Sequence, residues 1–168
     1  WSTGWDEQTM SSEPRAQPAL RRHFTYRLNT LSKLNDMMSQ ELYQAGSGLS
    51  LPEARCLAAI GSQPGQLTVM QLSFEANLDK AQVSRTTKLL VERGLVSKLP
   101  CPEDGRCVQL TLTALGRQCW ERVMPLIQQR NQELLQCLSE AEQATLLGLF
   151  DRMLERARQQ LRSDRPGD

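Results

Sequence analysis

The sequence predicts a mainly helical chain built around a winged helix-turn-helix, an α+β unit, with long helices at both ends. Three observations predict it. Two short, capped helical segments follow one another closely between Thr68 and Gly94, a charged hairpin comes directly after them, and apolar residues recur at three- and four-residue steps on either side.

The elements follow in order. Phe24, Leu28, Leu31, Leu34, Met38 and Leu42 mark one face of a first long helix, which Gly46-Ser-Gly48 ends. Ser50-Leu-Pro-Glu53 caps a second helix with Leu57 and Ile60 facing inward. Thr68-Val-Met-Gln71 is a capping box that opens a short helix through Ala76, and Asn77-Leu78 makes the turn. Asp79 with Gln82 forms the next capping box, so a further helix starts there. In it Val83, Thr87, Leu90 and Val91 share the face expected to pack, while Ala81, Gln82, Arg85, Lys88 and Glu92 lie opposite. Gly94 stands where a left-handed residue ends a helix, and Leu95-Val96 begins a β-type run.

Leu95 to Leu99 and Cys107 to Leu112 carry strand-forming residues around Pro100-Cys-Pro-Glu-Asp-Gly-Arg106, whose Asp-Gly is a turn signal. Thr113 then opens a long helix bearing Trp120, Val123, Ile127 and Leu134, which Pro125 is expected to kink or break. Ser139-Glu-Ala-Glu142 caps the last helix, in which Leu147, Phe150, Leu154, Ala157 and Leu161 repeat at coiled-coil spacing. Such a stripe packs either within its own chain or on a partner, and spacing alone does not choose.

These elements imply five segments: a disordered or non-native arm over 1–19, an N-terminal long helix over 20–48, the winged helix-turn-helix over 49–116, C-terminal helices over 117–162, and a disordered tail over 163–168. The arm is rich in Ser, Thr, Pro and Gln and begins at Trp1, not Met.

A helix-turn-helix with a wing points to double-stranded DNA. Gln82 and Arg85 are the residues suited to base edges, because a glutamine amide pairs bidentately with adenine and a guanidinium with guanine. Ser84, Thr86 and Lys88 suit phosphates, with Lys80 and Lys98 adding positive charge nearby. Arg106, beside the wing turn, suits a narrow minor groove, and Asp104 is near enough to orient it. Taken singly, each is an ordinary solvated residue; the argument lies in their placement after a capping box and before a wing.

Composition sets bounds. The 168 residues carry a formal net charge of +1, which argues against a nonspecific polyanion binder and for a local positive surface. There is no apolar run long enough to span a bilayer and no hydrophobic signal segment, so the expected location is the cytoplasm, with no membrane partner. One histidine, His23, and the absence of a nucleophile elbow, P-loop or paired metal-ligand motif argue against an enzyme, and no cofactor is implied.

Leu67-Thr-Val-Met-Gln-Leu72, Leu78-Asp-Lys-Ala-Gln-Val-Ser-Arg85, Glu92-Arg-Gly-Leu-Val96, Asp104-Gly-Arg106 and Leu110-Thr-Leu-Thr-Ala-Leu-Gly116 together resemble the MarR family of winged-helix repressors, in order over roughly residues 24 to 160. The family pattern usually has an acid where Cys101 stands and a second basic residue where Gly105 stands, so this wing is less basic than usual. The resemblance implies a homodimer interlocked by the N- and C-terminal helices, which makes 20–48 and 117–162 its dimerisation helices. Its recognition helices would enter successive major grooves about 10 base pairs apart, on a pseudo-palindromic operator.

The stretch from Phe24 to Asn35, with Arg55-Cys-Leu-Ala-Ala-Ile60, is most similar to members that respond to aromatic carboxylic acids of the hydroxycinnamate type. That resemblance implies a small aromatic acid as effector. Arg55 suits a carboxylate clamp, Ser32 and Asn35, with Ser39, form a polar strip at helical spacing, and His23 suits the pocket mouth.

The five cysteines hold open a different control. Cys56, Cys119 and Cys137 are expected to be small buried hydrophobes within helices, whereas Cys101 and Cys107 flank the wing tip, where oxidation would distort it. A redox-sensing regulator of the same fold, and a winged helix that binds protein in place of DNA, are the alternatives. The second would ignore DNA sequence and show little salt dependence.

Overall fold

The computed structural model describes residues 19–100 and 108–163. The elements are α1 (Phe24–Ser47), α2 (Leu51–Ser62), β1 (Leu67–Thr68), α3 (Val69–Glu75), α4 (Lys80–Glu92), β2 (Val96–Pro100), β3 (Val108–Leu112), α5 (Ala114–Leu135) and α6 (Glu140–Ser163). A single 3₁₀ turn, Ala19–Arg22, precedes α1.

The chain divides into two compact units, before and after the Met37–Met38 bond. The described part of the first is the 3₁₀ turn and the first half of α1, and none of its residues is buried. Its backbone is joined by short-range bonds only, such as His23 N–H to the Leu20 carbonyl at 3.2 Å.

The second unit holds the core. Leu49, Leu57, Leu72, Val83, Leu90, Leu110 and Val123 have no exposed surface, so α2, α3, α4, β3 and the start of α5 converge on one apolar cluster. The strands form an antiparallel sheet in the order β1-β3-β2, with Leu67 opposite Leu110 and Val96 opposite Leu112. β1 has only two residues, too few for an alternating pattern to be visible in sequence, and it exists because β3 offers it a partner.

The caps form as the residue types dictate. Thr68 accepts from Gln71 N–H at 3.2 Å and its own amide donates to the Gln71 side chain at 2.8 Å. The turn into α4 uses Asn77 at φ 52°, a left-handed position that asparagine tolerates better than most residues, and Gly94 leaves α4 at φ 67°. Gly116 is required for space. A Cβ there would overlap the Leu95 carbonyl oxygen, which explains the glycine in the Leu-Thr-x-x-Gly run of the hairpin.

Two expectations about the C-terminal helices change. α5 continues as one element through Pro125, so the proline does not break it. Cys137 is exposed and lies in the turn after α5, not within a helix; Cys56 and Cys119 are buried as expected. Of the α6 stripe, Leu147, Leu154 and Leu161 are 54%, 48% and 64% exposed, Phe150 is half-buried, and no residue of α6 is buried among the described residues. The α6 cap itself forms, with Ser139 N–H and hydroxyl both donating to Glu142 Oε2 at 2.8 Å. Those bonds hold the Glu142 carboxyl below its ordinary pKa. Among the described residues no helix is long and apolar enough to cross a membrane.

Candidate nucleic-acid interface

The interface is built on α4. Asp79 Oδ1 accepts from Gln82 N–H at 2.7 Å, which starts the helix, and Val83, Thr87 and Leu90 turn into the core. The outer face that results carries Lys80, Ala81, Ser84, Arg85, Lys88 and Glu92, all exposed. Lys88 and Glu92 lie 3.9 Å apart on successive turns, a solvated pair that leaves the lysine available at small cost. Lys98 is exposed on β2.

Two sequence assignments on this helix are revised. Thr86 is 7% exposed and packs inward, so it does not serve as a phosphate contact. Thr86 stands three residues after Val83 and four before Leu90, both fully buried, so helical spacing carries it to the edge of the packed face. Gln82 is half-buried, and its Oε1 accepts from the Asp79 amide at 3.3 Å. A bidentate pair with adenine needs that oxygen, so base reading by Gln82 competes with the cap, and Arg85 becomes the principal base-edge candidate. Asp104 and Arg106, like Cys101, Gly105 and Cys107, fall outside the described residues.

The C-terminal end of α4 is held on two sides, a feature that sequence reading missed. On one side Arg93, the C-cap residue, donates from Nη1 to Glu53 Oε1 at 2.7 Å and from Nη2 to the Gly48 carbonyl at 3.3 Å. Glu53 also accepts at Oε2 from the Ser50 amide at 2.9 Å and the Ser50 hydroxyl at 2.7 Å. Burial pushes the Glu53 carboxyl pKa up, but the Ser50 and Arg93 hydrogen bonds and the arginine charge outweigh it and hold the group below its ordinary value. On the other side the Thr113 hydroxyl donates to the Gly94 carbonyl at 2.6 Å and accepts from Gly116 N–H at 2.9 Å. The only sequence signal for the first clasp was Glu53 in a capping box. Its partner lies forty residues away.

The residues assigned to an effector are scattered in kind. Ser32 is exposed and Asn35 half-buried, three residues apart on one face of α1, with Asn35 already engaged by a neighbour. His23 is exposed just before α1 and lies twelve residues from Asn35, about 18 Å along a helix axis, too far for one small aromatic acid to touch both. His23 therefore leaves that set. Arg55 is half-buried on α2 and likewise has a partner, and Ser39 is buried. Cys56, next to Arg55, has its thiol pKa pushed up to about 12 by burial and by the nearby Glu53 charge, so it stays a protonated, unreactive thiol.

Residues 47–106 match the sequence profile of the MarR family. The chain is 30% identical over 107 residues to the HTH-type transcriptional repressor IacR of Pseudomonas putida, an alignment covering 64% of this chain and 61% of the repressor. The chain thus spans less than two thirds of that relative's length. Among solved structures it is similar to a MarR/EmrR family transcriptional regulator from Acinetobacter sp. ADP1, at 28% identity and TM-score 0.76, covering 84% of this chain and 99% of that one. It is also similar to the PcaV transcriptional regulator of Streptomyces coelicolor, solved in complex with its natural ligand, at 26% identity and TM-score 0.68 with the same coverage.

Proposed function

From the premise that this chain carries a MarR-family winged helix, we propose that it is a cytoplasmic, homodimeric transcriptional repressor that binds a pseudo-palindromic operator and is released from it by a small aromatic carboxylic acid. The observation that carries DNA binding is the outer face of α4: two lysines, a serine and an arginine stand exposed on a helix that is capped, tightly packed and held at both ends. Arg85 reads a base, Lys80, Ser84 and Lys88 fix the register on phosphates, and Lys98 with the Asp104-Arg106 wing makes the flanking contact. The repressor relative and the liganded structural neighbour support repression and response to a small molecule, respectively.

Dimerisation is supported by α6, on which Leu147, Leu154 and Leu161 of the apolar stripe stand exposed in the single chain. Two copies joined along such helices place two α4 helices about one DNA turn apart. An acid held by Arg55 acts by preferring a dimer whose two α4 helices no longer match that spacing. It shifts the equilibrium only by its differential affinity, and moving the population from 1:99 to 99:1 takes about a 10⁴-fold preference. The protein acts by binding and not by catalysis.

The test is an anisotropy titration of the reduced protein onto the DNA upstream of its own coding region, at fixed salt, with and without a panel of aromatic acids. Saturable, sequence-specific binding that one acid releases supports the proposal. Arg85→Ala is expected to cost about 1–3 kcal/mol of specific binding and to relax one base position. A tightly bound acid that leaves operator affinity unchanged at saturation overturns the release mechanism, and DNA binding indifferent to sequence overturns the repressor.

A further inference from the structure

We propose that Arg93 is a positioning residue for operator recognition: the Glu53–Arg93–Gly48 clasp transmits the attitude of the long helices to the recognition helix. The inference rests on the DNA-binding reading above and adds to it the route by which α4 is aimed.

Arg93 sits at the end of α4, and both groups it holds lie where α1 hands over to α2. Gly48 is the residue directly after α1, turned at φ 68°, and Glu53 is in the first turn of α2, where it also caps that helix through Ser50. One guanidinium therefore ties the α1–α2 corner to the recognition helix. Thr113, the N-cap of α5, ties the same end of α4 to the beginning of the other long helix through the Gly94 carbonyl. The α4 terminus is thus gripped from the helix that enters the winged unit and from the helix that leaves it.

The two grips differ in kind. The Thr113 bond is one hydroxyl on one carbonyl beside a sheet that is paired along five positions, and the sheet holds that junction in any case. The Arg93 clasp is a side-chain bond at the rim of the packed α2–α4 contact: its guanidinium is partly exposed and reaches across to an almost buried carboxylate, with side-chain relative exposures of 42% and 10%. The planar fork of arginine fixes direction as well as distance, since its two amino nitrogens reach two acceptors at once. A lysine supplies the charge and loses the fork. A small rotation of α1 against α2 changes the angle between the two acceptors and so biases the aim of α4, within the small adjustments that its buried Val83, Thr87 and Leu90 allow.

Four proteins are compared: the wild type, Arg93→Lys, Glu53→Gln and the double variant, each full length. Circular dichroism and sedimentation establish folding and mass. Anisotropy then measures affinity for the operator, for unrelated DNA, and for operators whose half-sites are moved apart or together by one base pair. Both variants are expected to keep their helical content and their affinity for unrelated DNA. Both lose roughly 3- to 30-fold in operator affinity, the range of an energetic coupling carried through a side chain, and both lose most of the wild type's discrimination between half-site spacings. The double variant loses no more than either single one. If folded variants bind the operator with unchanged affinity and unchanged spacing preference, the inference fails. If they lose thermal stability but keep the spacing preference, the clasp is a strut only and the inference fails likewise. A wild-type protein without any specific DNA site overturns the repressor and this inference together, which distinguishes that failure from the previous two.

Discussion

Helices α4 and α6 are written in the same code and end in different circumstances. Each begins with a capping box, Asp79 with Gln82 and Ser139 with Glu142, and each carries apolar residues at helical spacing. Yet four of the thirteen residues of α4 are buried and none of the twenty-four of α6. A cap and a period make a helix; what covers its apolar face depends on neighbours that the helix itself does not specify. The winged unit supplies those neighbours from its own chain, through α2, α3 and the sheet. Leu147, Leu154 and Leu161 of α6 stay exposed, which is why a second copy enters the proposed function.

The sharpest way to break this comparison is to remove one leucine from each helix. Leu90→Ala in α4 empties a fully buried site and is expected to cost about 2–5 kcal/mol of unfolding free energy. Leu154→Ala in α6, measured on dilute monomer, stays within about 0.5 kcal/mol. Urea denaturation of both decides it, and equal costs would mean that α6 has a cover within its own chain.

Next in size is an effect on association. Leu147→Glu with Leu154→Glu places two charges on the uncovered stripe and is expected to weaken the dimer at least tenfold, on the order of 1.5 kcal/mol. Analytical ultracentrifugation across concentrations reads it, with the helical signal of the winged unit retained. A dimer unaffected by both charges would place the contact elsewhere.

The caps come third. Asp79→Ala removes the acceptor at the start of α4 and is expected to cost about 1 kcal/mol, with a parallel loss of operator affinity as the reading face frays. Ser139→Ala leaves Glu142 able to reach the backbone amide and should cost less than that.

The smallest effect sharpens the role of Glu53. Its carboxyl is held below the ordinary pKa in the folded protein, so the stabilisation is complete above the unfolded value of about 4.3 and is lost as pH falls through the lower folded value. Wild-type denaturation midpoints measured from neutral pH down to about pH 3 should fall more steeply at the acid end than those of Glu53→Gln, by less than about 1 kcal/mol because Arg93 is partly exposed. Parallel curves would show that the clasp carries no net charge stabilisation.

Most of the fold was legible because its signals are local. Asp79, Gln82, Gly94 and Thr113 act on amides within a few residues of themselves, so their meaning survives in any tertiary setting. The outer face of α4 was legible for the same reason, by elimination from the apolar stripe. Thr86 and Cys137 were misread because each stands at the edge of a pattern, where a neighbouring element or a one-residue change in a helix end decides exposure. β1 was missed because two residues have no period of their own.

The sequence by itself determined the helices, their caps, the turn at Asn77 and the face of α4 that meets solvent, since each follows from bonds between residues three or four apart. Only the tertiary structure decided which stripes are covered, that Leu67 pairs with Leu110, and that Arg93 reaches forty residues back to Glu53. Those contacts join segments that carry no mark of each other. They arise because the chain closes one apolar core around Leu57, Leu72, Leu90 and Leu110, and in closing it brings the end of α4 against the corner between the first two helices.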